Sequence, residues 1–259
     1  MKKLILFDMD GTVYVGKDLI DGVPELFKYL KENNIDFVFI TNNSSHDIDF
    51  YVNKMRDMGV DCDEHSFYTS IETTISYLKK EGVKKINALA NECFKKKLRE
   101  EFELVEGYDP NQKLDAVVLG FNTELVYENL KNTCLYLQTQ EVKYYAANCD
   151  FKCPYDGGLY IPDCGGMAKM IELCTGKTPL FLGKPRPDMI YFLIKKFGLN
   201  KEDVLIVGDR LYTDILVGVN AGVDTVAVLT GETNMDEINK AEYKPTYILN
   251  SVKDLIKIL

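Results

Sequence analysis

The sequence predicts an α/β fold with a parallel sheet, on three observations. Apolar, strand-like runs alternate with amphipathic helical segments almost from end to end, the pattern of a parallel sheet covered by helices. The first run, Leu4–Phe7, is apolar at every position, as a strand buried on both faces must be. That run ends directly in two acids, Asp8 and Asp10, and several later runs also end in polar groups.

Each element has a local reason. After Leu4–Phe7 a helix is expected from about Pro24, a residue suited to the first helical position, with Leu26, Phe27 and Leu30 inward. Phe37–Ile40 reads as the second strand. Ser45 is a candidate cap for the next helix, Asp47 and Asp49 favour its positive end, and Gly59 stops it. Its buried face would be Ile48, Val52, Met55 and Met58, and Ile71, Ile75 and Leu78 mark a further helix ended by Gly82. A second series begins near Lys84, with strands at Ile86–Ala90, Ala116–Leu119 and Tyr144–Ala147. Helices fall around Phe94–Phe102 and Leu125–Leu137. The stretch Asn148–Gly166 is rich in glycine, proline and aromatics and reads as a loop leading into a helix at Met167–Cys174. A third series opens with a short strand at Leu180–Leu182 and a helix at Pro187–Phe197, whose inward face is Ile190, Ile194 and Phe197. Strands at Val204–Val207 and Thr225–Val228 follow, with a helix across Ile215–Asn220 between them.

Composition narrows the function classes. The chain has 259 residues, 46% hydrophobic and 27% charged, with 31 basic against 40 acidic residues and a net charge of -9. The pI is near 4.9. Such a field attracts neither nucleic acid nor anionic membranes. Leu4–Phe7 is too short for a signal peptide or a membrane span, so a cytoplasmic protein is expected. The cysteine count is seven, which is odd, and the chain is large, so free thiols rather than a disulfide framework are expected. Cys149, Cys153, Cys164 and Cys174 crowd one segment, but their gaps fit no familiar zinc spacing and no histidine is near. His46 and His65 read as surface residues.

Ligands of open parallel sheets gather beyond the carboxyl ends of the strands. The first strand ends in Asp8 and Asp10, the second in Thr41, Asn42 and Asn43. A later one ends in Gly183 and Lys184, and another in Gly208 and Asp209, with Asp214 shortly after. Any one of these residues has a bland reading as a turn residue or helix cap. Jointly they fall on one edge of one sheet. Residues i and i+2 of an extended chain point the same way, so Asp8 and Asp10 can share a pocket. Asp8, Asp10, Asp209 and Asp214 against Lys184 leave a charge of about -3, which a divalent cation reduces to about -1. All-oxygen ligation suits magnesium, which also binds phosphate oxygens.

With these stretches located, FDMDGT, ITNNSS, LGKPRPDM and VGDRLYTDI resemble, in that order, the four motifs of the haloacid dehalogenase-like (HAD) superfamily of phosphatases. TNNSS followed by Tyr51 and Lys54, GVNAGVDT at Gly218–Thr225 and VLTGET at Val228–Thr233 resemble the para-nitrophenylphosphatase-like, NagD-like group. The resemblance implies a Rossmann-like core over residues 1–80 and 180–259 and a large inserted α/β cap, which selects the substrate, over 81–179. It implies a magnesium-dependent hydrolase of small phosphorylated metabolites. Asp8 would be the nucleophile and Asp10 the general acid and base. Thr41, Asn42 and Asn43 would contact the phosphoryl group, and Lys184 would place a positive charge beside it. Asp8, the Asp10 carbonyl and Asp209 would hold the metal, supported by Asp214. A phosphate dianion entering the site would help keep Asp10 protonated. The physiological substrate and the oligomeric state, a homo-oligomer included, stay open.

The pattern departs from the group in two places. Arg186 stands where a small polar residue is common, and Asn148-Cys149-Asp150 stands where Asn-Pro-Asp is common, in the loop that also holds Phe151, Tyr155 and Tyr160. Competing readings are weaker. Gly11–Lys17 fits the spacing of a phosphate-binding loop, but Asp18 follows where Ser or Thr should hold magnesium. A non-enzymatic phospho-acceptor module carries its acceptor apart from the acid pair, and a dehalogenase needs neither Asp10 nor Asp209 and Asp214.

Overall fold

The computed structural model describes residues 2–259. The chain divides into two compact units, one formed by Met1–Thr41, Ile48–Tyr68 and Lys184–Leu259, the other by Asn42–Asp47 and Thr69–Gly183.

The first unit, the core unit, carries a six-stranded sheet. Its order across the sheet is Tyr247–Leu249, Asp224–Val228, Val204–Gly208, Leu4–Phe7, Asp36–Thr41 and Phe67–Thr69. Leu4–Phe7 pairs parallel with Asp36–Thr41 on one side and with Val204–Gly208 on the other. The chain therefore leaves the first strand in one direction and resumes on its opposite flank, which makes the carboxyl end of Leu4–Phe7 a topological switch point. The period of two sorts the side chains. Ile5, Phe7, Phe39, Leu205 and Val207 enter one buried cluster with Leu26, Leu30 and Met55. Leu4, Leu6, Val38, Ile40 and Ile206 enter another with Met189, Ile190 and Leu193. Both faces are covered, which is why the strand sequences show no alternation.

The second unit carries a five-stranded sheet in the order Leu180–Phe181, Lys143–Ala146, Ala116–Leu119, Lys85–Leu89 and Glu103–Leu104, with every neighbouring pair parallel. Its helices include Ser70–Lys80, Tyr127–Thr139 and Cys164–Thr175. Ser70–Lys80 starts on a capping box, the Thr69 hydroxyl accepting from Ile71 N while Glu72 reaches back to Thr69 N at 3.0 Å.

Several expectations shift. Leu180–Phe181, read as opening the third series, pairs with Lys143–Ala146; a two-residue edge strand carries too little pattern to reveal its sheet. Asn148–Gly166 is not wholly irregular, since Lys152–Tyr155 and Leu159–Pro162 pair antiparallel. Ser45 does not cap the helix, which begins at Ile48; its hydroxyl donates to Asn43 Oδ1 at 2.7 Å. His46 precedes that helix. No helix among the described residues is long and apolar enough to cross a membrane.

Candidate active site

Three strand ends of the core unit build the site. Asp8 directly follows Leu4–Phe7, Asp209 directly follows Val204–Gly208, and Ile40 lies at the end of Asp36–Thr41. Lys184 reaches this edge with its ammonium buried, its side chain 2% exposed. Its Nζ donates to Asp8 Oδ1 at 2.6 Å, to Asp214 Oδ1 at 2.6 Å and to the Ile40 carbonyl at 3.3 Å. These acceptors match the three donors of an ammonium. Carboxylate oxygens of Asp8, Asp209 and Asp214 all lie within 4.8 Å of one another.

The backbone explains how Asp214 arrives. Leu211–Ile215 forms a short π-helical turn, in which Ile215 N donates to Arg210 O at 3.2 Å. The wide turn lays Asp214 back over Gly208, where an added Cβ would fall 2.2 Å from Asp214 Cβ. Asp214 Oδ2 accepts from Arg210 N at 3.1 Å. Asp209 is fixed by the segment Thr230–Thr233. Glu232 N donates to Asp209 Oδ2 at 2.8 Å, Thr233 N donates to Asp209 O at 3.0 Å, and Thr12 Oγ1 donates to Oδ1 at 3.3 Å. Glycines stand on two sides of that carboxylate. A Cβ on Gly11 would lie 2.5 Å from Asp209 Oδ2, and one on Gly231 only 2.0 Å. Gly11 also has φ +85, which disfavours any side chain there.

The site is electrostatically tense. Burial first, and the neighbouring Asp214 second, push the Asp8 carboxyl well above its usual range against the opposing pull of Lys184. The same two causes push Asp209 up to about 6. Burial works against the Lys184 charge, but Asp214 and Asp8 overcome it and hold its pKa above the usual lysine value. Arg210 behaves likewise beside Asp8 and Asp214, and its Nε lies 3.0 Å from Glu232 Oε2. With Arg210 and Glu232 balancing each other, three carboxylates and one ammonium leave about -2, not the -3 expected when Asp10 was included. A divalent cation would bring the cluster to neutrality. The donor set is all oxygen, and Gly11 and Gly231 place no side chain against Asp209 Oδ2. The residues therefore fit a hard cation such as magnesium.

The other expected residues fall in three places. The Asp10 carboxylate is outside the three-acid group. Burial raises its pKa, while Lys54, Arg210 and the Gly11 N–H oppose the rise. Lys54 sits 3.7 Å from the centre of the Tyr14 ring, and Tyr14 bridges to Asp10 through the backbone. Thr41 is buried at the end of its strand, 9% exposed. Asn42 and Asn43 belong to the second unit. Asn42 Nδ2 donates there to Asp150 Oδ2 at 2.7 Å, and the Asn42 carbonyl accepts from Ser70 Oγ and Asn148 Nδ2 at 2.7 and 2.8 Å. Asn43 Oδ1 accepts from Ser45 N at 2.8 Å, a local turn. Arg186 pairs with Asp188 at 2.9 Å. Sequence reasoning did not single out Thr12, Arg210 or Gly231 for the site. Arg210 adjoins a candidate acid and Gly231 lies in the VLTGET stretch, and each was a usable signal.

Residues 5–102 match the family described as haloacid dehalogenase-like hydrolase, and residues 181–255 match the related HAD-hydrolase-like family. The chain belongs to the haloacid dehalogenase-like hydrolases. An acid sugar phosphatase of Staphylococcus haemolyticus is 32% identical over 96% of this chain and 92% of its own length. A 4-nitrophenylphosphatase from Thermotoga maritima superposes with a TM-score of 0.91 at 40% identity, covering 99% of this chain and 97% of that one. NagD from E. coli K-12 superposes with a TM-score of 0.88 at 26% identity, covering 98% of each chain. This HAD-type phosphatase falls in the NagD/p-nitrophenylphosphatase group, with the second parallel sheet as its inserted cap.

The glycine beside Asp209 gives a direct test of the site. Gly231→Ala is expected to leave the fold intact and to weaken the apparent affinity for the activating divalent cation about 10–100-fold, because the new Cβ displaces a carboxylate of the three-acid group that could hold a metal ion. A magnesium titration of turnover, beside a circular dichroism spectrum, checks it.

Proposed function

We propose that the protein hydrolyses sugar phosphates and related small phosphomonoesters with magnesium, through an aspartyl-phosphate on Asp8. The observation that carries this reading is the meeting of Asp8, Asp209 and Asp214 around the buried Lys184 ammonium. The names of the Staphylococcus and Thermotoga relatives support the substrate class. A carboxylate oxygen of Asp8 attacks phosphorus in line as the leaving oxygen departs, and Asp10 donates the proton that oxygen needs. Asp10 then takes a proton from water as that water attacks phosphorus, releasing inorganic phosphate and restoring Asp8. Burial of Asp10 supports its carrying a proton when the dianion arrives. Lys184 and Thr41 bear on the phosphoryl oxygens, and Lys184 holds Asp8 in line for attack. For Asn42 and Asn43 the reading rests on the motif alone. Magnesium bound by Asp8, Asp209, Asp214 and the Asp10 carbonyl would neutralise charge on the phosphoryl oxygens. The inserted unit selects the leaving group.

Turnover of p-nitrophenyl phosphate and of a panel of sugar phosphates is expected with magnesium and lost with EDTA. A stable phosphoprotein without turnover sinks the reading. Asp10→Asn sharpens the test. It should lower kcat about 10²–10⁴-fold for a sugar phosphate, whose alkoxide needs a proton. With p-nitrophenyl phosphate, whose leaving group does not, the variant should release a burst of nitrophenol and accumulate phosphoenzyme. Equal slowing of both substrates with no burst removes the acid role from Asp10.

A further inference from the structure

Six of the seven cysteines lie in the second unit, and two of them meet. Cys134 is in the helix Tyr127–Thr139, and Cys174 is in the last turn of the helix Cys164–Thr175. The two helices pack against each other, and the Cys134 and Cys174 side chains are neighbours across that packing. Other thiols face backbone carbonyls instead: Cys62 faces Val52 O, Cys153 faces Pro154 O and Cys164 faces Leu119 O. Cys134 is buried and Cys174 exposed.

We infer that Cys134 and Cys174 are a peroxide-sensitive dithiol that closes to an intramolecular disulfide, stapling the two helices of the inserted unit. The exposure difference sets the order of events. Solvent reaches Cys174, so its thiolate attacks hydrogen peroxide first. The O–O bond breaks, the leaving hydroxide takes up the proton the thiol had released and departs as water, and Cys174 becomes a sulfenic acid. Burial pushes the Cys134 thiol up to about 11, which keeps it protonated and unreactive toward outside oxidants. It is nevertheless beside the electrophilic sulfur. Its sulfur attacks, the S–O bond breaks, and the leaving hydroxide takes the Cys134 proton as a second water. Two thiols and one peroxide thus give one disulfide and two waters, the sulfurs supplying both electrons.

The far end of the Cys174 helix shows what the staple would hold. Asp163 caps that helix, accepting from Cys164 N. Gly165 N donates to Asp150 O at 2.8 Å, and a Cβ on Gly165 would fall 2.3 Å from Cys149 O. The helix start therefore clamps Asn148–Asp150, the segment whose Asp150 binds Asn42. The disulfide would fix the other end of the same helix and close about 40 residues of chain.

The test treats the native protein with a small excess of hydrogen peroxide, alkylates remaining thiols under denaturing conditions, and maps tryptic peptides. Loss of two of the seven thiols is expected, with a mass decrease of about 2 Da. Asn132–Lys143 should be joined to Met170–Lys177, and a reductant should reverse the joining. The melting temperature of the oxidised protein should rise by several degrees in the wild type and not in Cys174→Ser, whose substitution is at the surface. In that variant Cys134 should remain a thiol at the same peroxide dose. Cys174 ending as a sulfinic acid, or in a disulfide between two chains, with Cys134 still alkylatable, overturns the inference.

Discussion

Asp8→Asn is expected to lower kcat toward p-nitrophenyl phosphate about 10⁴-fold or more while leaving the metal-free protein at least as stable as the wild type. The catalytic loss follows from removing the nucleophile, since an amide oxygen is far less nucleophilic and cannot form the acyl phosphate. The stability side follows from the charge. Asp8 is buried beside Asp214, and its pKa in the folded protein stands well above its unfolded value. A carboxyl shifted that way contributes stability below its unfolded pKa. That contribution is lost as pH rises through the folded value, so the ionised form works against folding. Asparagine carries no charge, and its Oδ1 can still accept from Lys184. Activity and stability should therefore move apart, as they do when a strained site is relieved. Turnover measured beside a thermal melt in EDTA checks both halves. Retention of a few per cent of wild-type activity would show that phosphorus is attacked by some other group.

The fold was legible wherever a residue's role is set by its near neighbours. Leu4–Phe7 announces a strand covered on both faces because four apolar residues admit no solvent side. Asp8 and Asp209 could be placed on one edge because parallel topology puts all strand ends of a sheet on the same side; Lys184 joins them although the strand before it, Leu180–Phe181, belongs to the other sheet. What escaped depends on approach between distant segments. Gly231 matters because its missing Cβ leaves room for Asp209, and a glycine in a turn has many simpler explanations. Arg210 sets the local charge balance through Glu232, a pairing no periodicity encodes. Leu180–Leu182 was read as opening the third series, whereas Leu180–Phe181 pairs with Lys143–Ala146, because so short a strand cannot show which sheet it extends. Asn42 and Asn43 were read as a single group with Thr41. The structure instead ties the Asn42 side chain to Asp150, a contact between residues more than a hundred positions apart.

Lys184→Met should be the most destabilising of these changes, because it removes a buried ammonium in direct contact with two of the acids while leaving them buried. Methionine fills nearly the same volume, so packing is not the cause. Lys184 makes hydrogen bonds of 2.6 Å to both Asp8 and Asp214. Breaking a buried ion pair from one side costs about 3–5 kcal/mol, because the remaining charge is neither solvated nor paired. For a chain of this size that lowers the melting temperature on the order of 10 °C in EDTA. Activity should fall about 10³-fold, the loss of a positive charge aimed at the phosphoryl group. Arginine is a poor rescue, since a planar fork cannot replace a compact ammonium among three converging acceptors. Two additions should separate electrostatics from misfolding. Magnesium at about 100 times its dissociation constant stabilises by about 2.7 kcal/mol. If it binds more tightly to the variant, where three carboxylates stand without the lysine, it should recover more of the variant's melting temperature than it adds to the wild type. Lowering the pH should also recover the variant, because protonating Asp8 removes the repulsion the lysine had offset. A variant that melts with the wild type in EDTA at neutral pH would mean that the acids around Lys184 are not held as a charged cluster, and the assignment of this edge as a cation and phosphate site would fall with it.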